Sequence, residues 1–129
     1  MSMQINIGDH VSPQPGYVPI PVSHRHATRW ARTKAKAIAR SMPSADVYFR
    51  TLPSGRSLTD LLNDNTIWVN YAGGIPDYGQ AIGNEIAIGP RSYRIGQWTV
   101  LATLIHELAH VDGAPGSPSQ QAEEALLHC

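Results

Sequence analysis

The sequence is short of the features that mark several large function classes. It holds a single cysteine, Cys129, as its last residue, so neither an intrachain disulfide nor a CxxC metal knuckle can form. No run of about 18 apolar residues is present, which argues against membrane insertion. The opening stretch MSMQINIGDH lacks the basic start and apolar core of a signal peptide. A soluble chain is therefore expected, with any secretion following a signal-peptide-independent route or delivery into a target cell. Excess charge of one sign is missing too: ten Lys and Arg balance ten Asp and Glu. No overall field draws a polyanion to the molecule, so nucleic acid is not an expected partner. A length of 129 residues suits about one domain with a modest core.

What the chain does have is patterned segments separated by proline and glycine. Residues 1–26 include VSPQPGYVPIPVSHRH and read as a proline-rich extended arm, leaving 27–129 as the folded domain. ATRWARTKAKAIARSM, residues 27–42, predicts a first helix with Trp30, Ala37, Ile38 and Met42 on one face, ended by Pro43. ADVYFRTL, residues 45–52, reads as a short strand, and residues 57–63 as a helical turn or short helix. TIWVNYA (66–72) and NEIAIGP (84–90) predict two further strands. Residues 97–111 are helical in pattern, with Gly113 and Pro115 as stop signals, and QQAEEALLHC closes the chain as a second helix. One helix, several strands and then two helices predict an α+β domain without βαβ alternation.

The chemistry concentrates in LIHELAHVDG, residues 104–113. At roughly 100° per residue from Trp98, His106 and His110 fall near 80° and 120°, opposite an apolar arc formed by Val100, Leu101, Leu104, Ile105, Leu108 and Val111. Two imidazoles at i and i+4 can share one metal ion, and the intervening Glu107 is offset along the site, where it can reach a water without being a ligand. With this composition an accidental HExxH has a probability of roughly 0.01. The bland alternative is a pair of helix histidines needing other partners.

His106-Glu107-Leu108-Ala109-His110 resembles the zincin metallopeptidase signature. The resemblance covers residues 84–129 directly and implies a minimal zincin-like α+β domain, Zn²⁺ on His106 and His110, and Glu107 as general base in peptide hydrolysis. The metzincin extension is absent, because position 116 holds Gly116 where a third histidine would stand. The gluzincin pattern instead takes a carboxylate from a following helix, where AEEALLHC offers Glu123, Glu124 and His128. Helix-face placement favours Glu123, which projects from the apolar face carrying Leu126 and Leu127, over Glu124 and His128 on the opposite side. The separation of His110 from Glu123 is shorter than is usual in gluzincins.

Other residues are candidates for supporting roles. Tyr71, Tyr78, Tyr93, Arg91 and Arg94 could donate to a developing oxyanion, and no spacing selects among them. Thr99, Thr103 and Asp112 could orient the ligand histidines or serve only the helix itself. Residues 84–89 precede the active-site helix, as the substrate-binding edge strand does in zincins, and a peptide could add there as a further strand. His10, His24 and His26 read as solvated residues of the arm, and the basic side of the first helix as a solvated face.

Small size and the HELAHVDGAPG...AEEALLHC pattern also resemble HExxH toxin domains of bacterial polymorphic toxins and type VI secretion effectors, which implies a cognate immunity protein as partner beside a protein or peptide substrate. Two other readings stand beside the peptidase: a zinc amidohydrolase acting on a cell-wall amide, and a structural zinc domain closed by four ligands, among them His128 or Cys129.

Overall fold

A computed structural model describes residues 1–115, 120–127 and 129, the first four residues of the last helix by backbone only. The order is β1 (Gln4–Ile5), α1 (Val22–Ser41), α2 (Pro43–Arg50), α3 (Leu58–Leu62), β2 (Trp68–Tyr71), β3 (Gly79–Ile82), β4 (Glu85–Ile88), α4 (Pro90–Ile95), α5 (Gln97–Val111) and α6 (Gln120–Leu127). The expected α+β class is observed. Among the described residues no helix is long and apolar enough to cross a membrane.

The sheet runs β1-β2-β4-β3, parallel throughout except for β3, which pairs antiparallel with β4 at one edge. β1 and β2 are parallel neighbours joined through α1, α2 and α3, a crossover that the expectation of no βαβ alternation did not include. Strand alternation then sorts the side chains. Ile5, Val69, Ile86 and Ile88 enter the main core with Phe49, Leu58, Leu61, Leu104 and Leu108. On the opposite face Asn6 donates to Asn70 Oδ1 at 2.8 Å, and Asn70 donates to Glu85 Oε1 at 3.2 Å. His10 donates to that same carboxylate oxygen at 2.8 Å and stacks on Trp68 at 4.1 Å, so the buried Glu85 is not left unpaired.

Three sequence expectations are corrected. Residues 45–52 do not form a strand. Pro43 opens a helix where its missing N–H costs nothing, and Ala45 and Phe49, four residues apart, are both fully buried on one face. The 1–26 segment is not a detached arm: Gln4 and Ile5 pair with β2, Val18 bridges Tyr71, and Met3 and Ile20 are fully buried. The first helix begins at Val22, ahead of the expected Ala27. Its buried stripe is Thr28, Ala31, Ala35 and Ala39, small side chains that bring its axis close to α5.

Candidate metal centre

α5 occupies the span its apolar arc predicts, and Val100, Leu101, Leu104, Ile105 and Leu108 are buried in the core. The anchored arc turns the opposite stripe toward a cleft of about 810 Å³. Thr99, Thr103, His106, Glu107 and His110 form one wall, and residues 77–82, leading into and through β3, form the other. Ala114 and Leu126 also line it.

The two histidines converge. Their Nε2 atoms are 3.2 Å apart and their rings stand at 68° to each other. His110 Nδ1 lies 2.8 Å from the Ala114 carbonyl oxygen, which can only accept. Nδ1 therefore carries the proton, and the Nε2 lone pair faces His106. Two nitrogens on a tetrahedral zinc, each at about 2.0–2.1 Å, are roughly 3.3 Å apart. The spacing and tautomer thus fit a shared zinc ion, with a backbone carbonyl orienting the second ligand.

Glu107 is 5% exposed. Burial first, and the negative charge of Asp77 second, push its carboxyl up to about 7. A carboxylate held at that value near neutral pH is suited to take and return a proton. The opposing strand comes close because Gly79 has no side chain: a methyl group there would stand 2.6 Å from Thr103 Cγ2, 2.9 Å from the Ala87 carbonyl oxygen and 3.3 Å from Glu107 Cγ.

His106, Glu107 and His110 line the same cleft. Among the described residues no set of three potential ligands is assembled. The side chain of Glu123, the favoured third ligand, and the whole of His128 lie outside the described residues. Glu124 is directed elsewhere: Tyr48 of α2 donates to its Oε2 at 3.4 Å. Burial, and then Asp46, push the Cys129 thiol up to about 11, the opposite of what a thiolate ligand requires.

The supporting candidates separate. Tyr78 lines the cleft, with the Arg91 guanidinium stacked 4.6 Å from its ring centre. Tyr71 and Tyr93 instead cluster with His24, which stacks on Tyr93 at 4.2 Å. Tyr93 shares a 2.7 Å hydrogen bond with Thr28, and burial pushes its phenol up to about 12. Arg94 is exposed and outside the cleft lining. Thr103 bonds Ser92 Oγ at 2.8 Å, and Ser92 donates to the Tyr78 carbonyl at 2.9 Å, so this threonine ties α5 to α4 and to the start of β3. Asp112 does not orient a histidine; its Oδ1 accepts from the Arg56 backbone N–H at 3.0 Å.

The edge strand is also relocated. Residues 85–88 form β4, buried along its length inside the sheet, and β3 is the strand whose outer edge borders the cleft. Asp77, Gly79 and Ser92 were not singled out by sequence. No family model, curated protein or solved structure matches the chain.

Proposed function

We propose that the protein is a zinc-dependent metallopeptidase. The observation that carries this reading is the convergence of the Nε2 atoms of His106 and His110, the latter unprotonated, in an open cleft that also holds a buried carboxyl of raised pKa. His106 and His110 would hold the ion, with Glu123 as the third ligand. Zinc, when bound, would supply Lewis acidity, acidifying a water and polarising the scissile carbonyl. Glu107 takes the proton of the attacking water and returns it to the leaving nitrogen, so that the amine departs neutral. The outer edge of β3 offers unpaired backbone N–H and C=O groups along the cleft, and an extended peptide adds there as a further strand. That edge favours an extended polypeptide substrate over a cell-wall amide, whose short peptide stem offers less strand to pair.

The test is zinc content together with peptide cleavage in the parent and in Glu107→Gln. One zinc per chain in both proteins, with cleavage by the parent alone, is the expected result. Cleavage retained by Glu107→Gln removes the general-base assignment, and absence of zinc from the parent removes the reading as a whole.

A further inference from the structure

The walls of the cleft carry charge of one sign. Among the described lining residues Asp77 and Glu107 are the acids, and neither a lysine nor an arginine joins them. This is not a reflection of composition, since the chain as a whole is neutral. Arg91, on neighbouring α4, places its guanidinium on the Tyr78 ring and makes no ion pair with Asp77. The ion pairs among the described residues are His10 with Glu85 and Arg56 with Asp64 and Asp112. Asp77 is thus an exposed, unpaired carboxylate at the mouth of the cleft.

Its position is held by the backbone. The Asp77 carbonyl oxygen packs so closely on Gly89 that a methyl group there would stand 2.8 Å from it. The next carbonyl, of Tyr78, accepts from the Gly89 N–H at 2.9 Å and from Ser92 Oγ at 2.9 Å. Asp77 therefore sits on a turn whose backbone is pinned against Gly89 and Ser92. It is also the charge that Glu107 feels most strongly after burial.

The geometry points to Asp77 as a specificity-determining residue that receives a cationic nitrogen of the substrate beside the scissile bond. This rests on the metallopeptidase reading. A bound Zn²⁺ would be balanced by Glu107 and the proposed ligand carboxylate, which would leave Asp77 as the unmatched charge facing an incoming chain. The nitrogen is either the side chain of a lysine or arginine or the free α-ammonium of a peptide, and both carry the same charge into the same place. Asp77 touches substrate and takes no part in proton transfer. Because the carboxylate is exposed, the preference is modest and weakens as salt screens it.

The test uses the zinc-loaded full chain and matched peptides carrying lysine or its uncharged near-isostere norleucine, at each position flanking the cleaved bond. Each peptide is made with a free and with an acetylated N-terminus. The parent is expected to prefer a cationic peptide by about fivefold in kcat/KM at low salt. Asp77→Asn, which removes an exposed charge with no hydrogen bond to the fold, is expected to bring that ratio to near one. Loss of the preference on acetylation assigns the nitrogen to the α-ammonium, and its survival assigns it to a side chain. Equal lysine to norleucine ratios and equal free to acetylated ratios in parent and Asp77→Asn together overturn the inference. The same peptides are also titrated onto metal-free protein by fluorescence anisotropy, which reads the charge preference without turnover. A preference for the cationic peptide that Asp77→Asn removes there, with no cleavage by the loaded parent, sinks the peptidase reading and leaves the cation site standing.

Discussion

Gly79 of β3 and Thr103 of α5 are packed so closely that no side chain fits between them: a methyl group on Gly79 would lie 2.6 Å from Thr103 Cγ2. This contact sets the width of the cleft beside Glu107. Gly79→Ala must push β3 away from α5, and the Ala87 carbonyl at 2.9 Å blocks retreat within the sheet. The expected cost is about 1–3 kcal/mol of stability from overpacking. Peptide cleavage should fall more than zinc affinity does, because the ligand histidines lie on the unshifted helix. Urea unfolding and zinc titration of the variant measure the two effects separately, and an undisturbed cleavage rate would sink the idea that this contact sets the cleft.

A second prediction follows from the Glu107 carboxyl in the metal-free protein. Its value is raised in the fold, from 4.5 to about 7, by burial and then by Asp77. A carboxyl raised on folding binds its proton more tightly in the native than in the unfolded state, so the native state is favoured at low pH. The contribution is fully present below about pH 4.5 and is lost as pH rises through about 7. The loss is on the order of 3 kcal/mol. Unfolding of chelator-treated parent and Glu107→Gln at pH 5 and pH 8 isolates it by difference. The parent should lose more stability than the variant between those values, and parallel behaviour would count against the burial of an ionisable Glu107.

Much of the site was legible in one helix, and the remainder depended on contacts between elements. The apolar arc of α5 was continuous enough to fix its span and to leave His106 and His110 on the open stripe. α2 was misread because Val47, Tyr48 and Phe49 favour strands locally, whereas the i,i+4 burial of Ala45 and Phe49 decides the outcome through packing. β3 did carry a signal. Gly83 and Asn84, between QAI and EIAI, form a two-residue hairpin turn, with Gly83 at φ +59°. Read as a hairpin, that stretch would have placed the edge strand at β3 rather than β4. Asp77 and Gly79 gave no such signal, because their importance lies in what α5 brings opposite them.

The zinc reading predicts a thermodynamic signature that needs no substrate. An ion that binds only the native state stabilises it by about 2.7 kcal/mol when present at about 100 times its Kd. Zinc should therefore raise the unfolding midpoint of the parent. His110→Ala should abolish that rise, because the Ala114 carbonyl then orients no ligand. A zinc response retained by both His106→Ala and His110→Ala would place the ion elsewhere.

Asp112 and Arg56 yield a prediction about what supports the end of the helix. Asp112 is fully buried; its Oδ1 accepts from the Arg56 backbone, and its Oδ2 has no hydrogen-bond partner. The Arg56 guanidinium lies 3.7 Å from the carboxylate and also donates to the Val111 carbonyl at 3.3 Å. Arg56→Ala leaves a buried carboxylate without its counter-charge and is expected to cost about 3 kcal/mol. Arg56→Ala with Asp112→Asn should recover part of that loss, and a double variant no more stable than Arg56→Ala alone would remove the charge argument.

The two neighbouring glutamates of α6 should differ in what they do for the metal. Tyr48 of α2 donates to Glu124 and couples α6 to α2, and the phenol is itself raised by burial and by that carboxylate. Glu124→Gln keeps an acceptor for Tyr48 and is expected to leave zinc affinity within about twofold of the parent. Glu123→Gln removes the proposed third ligand and should weaken zinc binding by at least about 100-fold, because a ligand counts for more than the partner that orients it. Competition against a chelating dye measures both constants. If Glu124→Gln produces the large loss and Glu123→Gln the small one, the ligand assignment moves by one residue, and the Tyr48 contact must break when the ion binds.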